Sequence, residues 1–287
     1  MAKNTIIPLN RLYARLRRAA PYAAGALGMI YLVIHGRDAA NQWPHLAGSL
    51  RPSDPWLWIV SLLLAAGNWL LRIAQWKTAA EYYHPLGWKD AACQQLKSFA
   101  WSAFTPASGG EWPGKRWFYR NPRGILRAVS HQQFVQMGVT LAAGIVALQP
   151  AWWFWGSVAG VPLVLRIRQV PARKVRYWLQ LTALALLRYL IFAGMLVWLL
   201  HRLYPQLPVA AVAPKVGLYY LWSSLVPLAF VWDLPVKGSV GLWQFGALGY
   251  SAVEVAAVVL WMWIWNTLLP VTAGQVLLWT RKNCGYV

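Results

Sequence analysis

Several charged residues lie inside or beside long apolar stretches of the chain, where a side chain able to bind a charged ligand stands out. Arg188 falls midway along one such stretch. A charge at the centre of a membrane helix costs at least about 2.5–3.5 kcal/mol, so we expect Arg188 to face protein or water. Glu254 is a candidate partner, either in a purely structural pair or in gating or head-group binding. Glu111 could pair with Lys115 or Arg116, or contact a cationic lipid head group. An ordinary acid at a helix start is the alternative for Glu111.

A second group of candidate residues lies in a glycine-containing segment near the end of the chain. Lys237 could bind a lipid phosphate as a point charge, while backbone N–H groups around Gly238 and Gly241 form an anion-binding nest. A lysine that extends to the cytoplasmic surface is the alternative. With Gln244 from the same segment, the candidate head-group residues are Glu111, Lys115, Arg116, Arg188, Lys237, Gly238, Gly241, Gln244 and Glu254.

Other kinds of site have little support in the sequence. The five histidines are scattered and lack metal-ligand spacing, so we expect no metal site. The chain also lacks a nucleotide-binding loop and a Ser/His/Asp arrangement. We therefore expect no catalytic residues, no cofactor and no enzymatic activity.

The composition indicates an integral membrane protein. Hydrophobic residues make up 59% of the 287 residues and charged residues only 12%, whereas a soluble domain carries roughly 25% charged residues. The net charge of +20 could indicate nucleic-acid binding, but the basic residues lie between apolar stretches rather than in one cluster. We therefore interpret them as loop residues of a membrane protein, with no nucleic-acid partner.

Apolar windows long enough for membrane helices predict an all-α, polytopic helical bundle that forms a single domain over residues 1–287. A bilayer core of about 30 Å needs ~20 mainly apolar residues per helix. About seven or eight crossings are expected, in the windows 21–35, 55–71, 128–148, 152–165, 178–200, 216–231 and 252–279.

The distribution of basic residues predicts the orientation. Lys and Arg number 21 in the arm at residues 1–18, the stretches 72–127 and 166–176 and the tail, against 4 in the alternate loops. Because basic loops stay on the cytoplasmic side, both termini should be cytoplasmic and the number of crossings even. The expected location is the bacterial inner membrane.

Two segments do not fit a simple helix count. Residues 91–116 contain Pro106, Gly109 and Gly110 and are flanked by basic residues, which predicts a re-entrant hairpin. Residues 233–250 contain Pro235 and should be broken, and Pro270 should kink the last helix. Irregular backbone persists at membrane depth only inside protein or along a wet cavity, so the two segments should share an interior site.

The motifs in these segments carry a family resemblance. Gly110-Glu111, followed by a basic residue at 115 or 116, and Pro235 with Gly238 and Gly241 resemble the flippase-like transmembrane region of the lysylphosphatidylglycerol synthase family. The chain departs from this pattern twice. It has Trp243-Gln244 in place of Arg-Glu, and His131-Gln132-Gln133 in place of a Glu-Arg pair.

The resemblance implies a stand-alone form of this region that translocates lipid, because the sequence ends shortly after the last helix and we expect no synthase domain. The partners implied are membrane lipids: an anionic or aminoacylated phospholipid, or a polyprenyl-linked glycan. The rival hypothesis is a non-transporting scaffold or regulator of a separately encoded lipid- or glycan-modifying enzyme, which the lost charges favour. The sequence also leaves open whether two copies of the chain form a homodimer.

Overall fold

The computed structural model describes residues 53–102, 111–119, 122–148, 171–225 and 230–280, and these ranges are all-α, with eight helices. The predictions for the arm at 1–18, for the windows 21–35 and 152–165, and for Pro106, Gly109 and Gly110 lie outside the described residues. The helices are α1 (Pro55–Glu81), α2 (Trp88–Ser102), α3 (Glu111–Arg116), α4 (Pro122–Leu148), α5 (Ala172–Leu203), α6 (Val209–Leu225), α7 (Phe230–Gly246) and α8 (Ala252–Trp279).

Three of these helices are long and apolar enough to cross a membrane: α1, α5 and α8. Each has at least 27 residues, and at 1.5 Å per residue this gives about 40 Å or more, which exceeds the ~30 Å hydrocarbon core. Their outer faces expose large apolar side chains to the surroundings. These features indicate an integral membrane protein. Examples of the exposed side chains are Leu62, Leu63, Leu70, Leu186, Leu187 and Leu190.

Two apolar clusters hold the helices together. One is formed mainly by α5, α6, α7 and α8, and includes Leu196, Val216 and Phe245. The other joins α1, α4 and the first half of α5, and includes Trp76 and Ile125. Between membrane helices such contacts stabilise through van der Waals packing rather than through removal of apolar surface from water, and the clusters fix the helices that surround the polar residues described below.

The short helix α3 folds back against α2. A Cβ atom at Gly114 would lie 3.1 Å from the Cα of Ser98, which shows how closely the two backbones approach. The residues that would connect α2 to α3 in the hairpin predicted at 91–116 lie outside the described residues. Whether the hairpin enters the membrane and leaves on the same side stays a prediction.

The segment at 233–250 differs from the expectation. Residues 230–246 form one helix, α7, which contains Pro235 without a break, and only the turn that follows is irregular, with Gly249 at a φ of 92°. Gly241 has a packing role instead, because a Cβ atom there would lie 2.9 Å from Val255 of α8. Pro235 lies inside α7 and removes one backbone hydrogen bond, but the helix continues past it, and a glycine allows close packing of helices.

The last helix changes its winding rather than ending. Within α8, residues Ile264–Leu268 form a π-helical turn, and regular α-helix resumes at Leu269–Trp279. Pro270 lies just after this turn. Single π turns inside α-helices occur frequently at functional sites, and this one contains the buried polar residue Asn266.

Candidate functional site

A buried ion pair network connects α1 with the short helix α3. Glu111 and Lys115 lie one turn apart on α3, and Lys115 Nζ donates a hydrogen bond of 3.2 Å to Glu111 Oε2. Arg72 of α1 donates from Nη2 to the other carboxylate oxygen, Oε1. Glu111 is 1% exposed and Lys115 is fully buried. The single carboxylate is therefore shared by two cations, away from water.

Lys115 has two further partners besides the carboxylate. Its Nζ donates to Gln132 Oε1 of α4 at 2.9 Å and lies 4.1 Å from the centroid of the Trp76 ring. A cation over an indole face is attracted by about 2 kcal/mol when it is desolvated. These contacts from α1, α3 and α4 hold the ammonium group in one position.

Arg188 of α5 is held by neutral side chains. Its Nε donates to Asn68 Oδ1 at 3.1 Å, and its Nη1 donates to Gln136 Oε1 at 3.1 Å and, more weakly, to Gln75 Oε1 at 3.5 Å. Within the described ranges no carboxylate forms an ion pair with Arg188. Its charge is solvated by amide oxygens and is not neutralised.

Two glutamines of α4 place the separate cations side by side. Gln132 accepts from Lys115 and Gln136 accepts from Arg188. Residues four apart on a helix are neighbours, with Cβ atoms about 5–6 Å from each other. The four residues Arg72, Glu111, Lys115 and Arg188 therefore form one group, here called the buried cationic cluster, with three positive charges and one negative charge.

The cluster extends to the centre of the membrane helices. Asn68, Arg188 and Asn266 each lie at the midpoint of their helix, α1, α5 and α8 respectively. They are joined in a chain, because Arg188 donates to Asn68, and Asn68 Nδ2 donates to Asn266 Oδ1 at 2.8 Å. Asn266 in turn donates to the carbonyl oxygen of Met262, at 3.1 Å, in the turn that precedes it. All three apolar helices are thus connected by polar side chains at the same level.

Unused hydrogen-bond donors surround the cluster. Among the described residues, Arg72 Nε, Gln75 Nε2 and Gln94 Nε2 are buried and have no acceptor. Gln94 already accepts from Trp76 and Tyr119, which fixes its amide with the NH₂ group unpaired. A buried donor without a partner costs about 1–3 kcal/mol, so an acceptor-rich ligand would relieve this cost. Net positive charge and excess donors together favour an anion such as a phosphate.

The predicted pair between Arg188 and Glu254 is wrong. Glu254 lies in the first turn of α8, where its carboxylate accepts from the backbone N–H of Ser251 at 2.8 Å and the Ser251 side chain accepts from Glu254 N. This reciprocal capping box satisfies the helix start. Tyr204 also donates to Glu254, at 3.2 Å. The carboxylate therefore acts locally, on a different partner from the one expected.

The candidate residues of α7 also have surroundings that differ from those expected. Lys237 pairs with Asp233 on the same helix, at 2.8 Å, and Gly238 and Gly241 lie inside α7, where the helix itself uses their backbone N–H groups. The anion-binding nest expected around these glycines is therefore absent from α7. Gln244 is buried on the same helix, which packs against α6 and α8.

The structure thus assembles only part of the predicted site. It brings together Glu111, Lys115 and Arg188, while the α7 residues and Glu254 lie on other helices. Arg116 is exposed, although its neighbour Lys115 is buried, because successive residues on a helix point about 100° apart. The single cavity expected between the two irregular segments is not formed by these residues.

Sequence reasoning missed the contribution of α1. The apolar window was placed at 55–71, but the helix continues to Glu81, so Arg72 lies inside a helix instead of in a loop. One signal was available: Ser61, Asn68, Arg72 and Gln75 are spaced by seven, four and three residues. This spacing puts polar groups on one face of an otherwise apolar helix.

Comparison of this chain with protein-family models, with curated proteins and with solved structures gave no match. The resemblance to the lysylphosphatidylglycerol synthase transmembrane region therefore stays a prediction. The geometry of the buried cationic cluster is the basis for the functional proposal.

Proposed function

We propose that this protein is a flippase-like lipid transporter of the bacterial inner membrane, with both termini cytoplasmic, that binds an anionic lipid head group and moves it between leaflets. One observation carries the proposal: a buried cluster with a net charge of +2 lies among helices long enough to span the bilayer. Intramembrane ionisable residues are rare and mark substrate pathways by default. The phosphodiester of a phospholipid, with its single negative charge, would offset half of the excess charge and accept from the unused donors.

A lipid fits this site better than a soluble anion. Arg72 and Arg188 are only partly buried, and their helices α1 and α5 also expose leucines such as Leu70 and Leu187 to the surroundings. A head group could therefore contact the arginines while its acyl chains stay among lipid tails. This arrangement avoids moving the chains through the protein.

The test is a leaflet-translocation assay in proteoliposomes. The purified full-length protein is reconstituted, and the accessibility of a fluorescent phosphatidylglycerol to a membrane-impermeant quencher is followed over time. Arg188→Gln should lower the rate at least about tenfold, which corresponds to the loss of about 1.4 kcal/mol of head-group binding. Lys237→Gln is the control, because this lysine lies outside the cluster, and it should leave the rate unchanged.

A scaffold or regulator remains the second candidate, and a specific observation favours it. Basic residues on α3, α4 and α5 are exposed, and exposed positive charge is suited to an acidic partner such as a separately encoded lipid- or glycan-modifying enzyme. A wild-type protein that binds phosphatidylglycerol in the vesicles but does not move it would reject transport and support this second function. The exposed residues are Arg116, Arg123, Arg127, Arg173, Lys174 and Arg176.

A further inference from the structure

A second cationic feature lies apart from the buried cationic cluster, in a groove between α1 and α5. Its volume is about 600 Å³. The end of α1 contributes Thr78 and Tyr82, and the start of α5 contributes Arg173, Arg176 and Gln180. Because the basic start of α5 is predicted to be cytoplasmic, the groove should lie at the cytoplasmic surface of the membrane.

The charges that line the groove favour an anion. Arg173 and Arg176 are one turn apart and exposed, and within the described part of the chain neither has a carboxylate partner. The acidic residue of the groove, Glu81, is already neutralised by an ion pair with Lys77. Two guanidinium groups, each able to form paired hydrogen bonds with a phosphate, are therefore free to bind one.

The walls of the groove are suited to the boundary between water and lipid. The ring centroids of Tyr82 and Tyr177 are 4.4 Å apart, and the guanidinium of Arg173 is 5.4 Å from the centroid of the Tyr82 ring. Aromatic side chains with a polar tip are enriched at this boundary. Deeper in the groove, Ala183 and Leu184 provide an apolar surface for the glycerol and upper acyl chain of a lipid.

The groove also points toward the buried cationic cluster. Gln180, Leu184 and Arg188 are spaced by four residues along α5, so they lie on the same face of the helix. Gln180 and Leu184 line the groove, and Arg188 belongs to the cluster. Eight residues of α-helix correspond to about 12 Å, the axial distance from Gln180 to Arg188.

We propose that the α1–α5 groove binds the phosphate of an anionic phospholipid in the cytoplasmic leaflet, and that Arg173 and Arg176 are its head-group ligands. The groove would then load lipid for the site at mid-membrane, so its place in transport rests on the proposed function. Binding in the groove does not depend on transport and is tested separately.

The experiment is lipid photo-crosslinking from the groove in the full-length protein. A benzophenone amino acid is introduced by Leu184→p-benzoylphenylalanine, and the protein is reconstituted in vesicles of phosphatidylglycerol and phosphatidylcholine. Mass spectrometry then identifies the crosslinked lipid. We expect phosphatidylglycerol to be enriched over its share of the vesicle. The double substitution Arg173→Gln and Arg176→Gln should lower the apparent affinity for phosphatidylglycerol about thirtyfold, or roughly fivefold for each arginine.

The control removes the same charge elsewhere on the basic surface. Arg123→Gln with Arg127→Gln, two exposed residues of α4 outside the groove, should leave the crosslinking unchanged. Crosslinked lipids in the proportions of the vesicle would overturn the proposal. So would equal losses in the two double variants, since this result would indicate general attraction to an anionic surface.

The proposal of lipid binding in the groove and the proposal of transport are rejected by different experimental results. Arg188→Gln should lower the translocation rate at least about tenfold while leaving the crosslink at position 184 intact. Enriched crosslinking in a protein that does not translocate lipid would support lipid binding in the groove and reject transport. Unchanged translocation and crosslinking after loss of Arg173 and Arg176 would reject the groove alone.

Discussion

Glu111 is the only acidic member of the buried cationic cluster, so Glu111→Gln tests how that cluster is stabilised. The substitution keeps the size of the side chain and one oxygen acceptor but removes the negative charge. Arg72 and Lys115 would then face each other with no counter-charge among their contacts. We expect a large loss of stability.

The magnitude follows from the geometry. At the 3.2 Å that separates Lys115 Nζ from Glu111 Oε2, the attraction is ~5 kcal/mol at an effective dielectric constant of about 20, but only ~1.3 kcal/mol in bulk water. Removing one partner of a buried pair typically costs about 3–5 kcal/mol. For a chain of 287 residues, with an unfolding entropy of about 2.1 cal/mol/K per residue, that loss corresponds to a fall in Tm of roughly 5–8 °C.

The assay is thermal unfolding of the purified protein in a mild detergent, with Glu81→Gln as the matched control. Glu81 also pairs with a lysine four residues away, Lys77, but its side chain is 50% exposed. Its loss should cost only about 0.3–0.5 kcal/mol. Combining Glu111→Gln with Lys115→Met should recover part of the stability. Equal, small Tm changes for Glu111→Gln and Glu81→Gln would refute the reasoning, because they would mean that the cluster is hydrated like the surface.

Three further predictions concern single residues of the membrane helices and of α4. Asn68→Ala removes the acceptor for Arg188 Nε and should lower the free energy of unfolding by about 1–3 kcal/mol, measured as a fall in Tm. Gly274→Ala should prevent normal folding, because the new Cβ would overlap the carbonyl oxygen of Leu96, so monodisperse protein should be lost in size-exclusion chromatography. Gly138→Ala, where nothing lies within 4 Å, should instead stabilise α4 by about 0.5–1 kcal/mol. Normal elution of the Gly274 variant would contradict the close contact of α2 and α8.

The sequence alone was sufficient for the all-α class and for three helices long enough to cross a membrane. Length and apolar content decide whether a helix can span a bilayer, which is why windows near 55, 178 and 252 correspond to α1, α5 and α8. The pair of Glu111 with Lys115 was one of the alternatives that the sequence left open, and a spacing of four residues brings such side chains together once the segment is helical. These features depend only on neighbours in the chain.

Only the tertiary structure decided which distant residues meet. Arg188 contacts Asn68 and Gln136, which are 120 and 52 residues away, and not Glu254. Each residue advances a helix by about 100°, so a small error in helix phase rotates a side chain to another neighbour. Arg72 was missed for a related reason. Its charge is compensated by Glu111, which is distant in the sequence, and the apolar content of the segment does not reveal such a partner. The local pattern therefore determines the helices, whereas packing between helices determines the site.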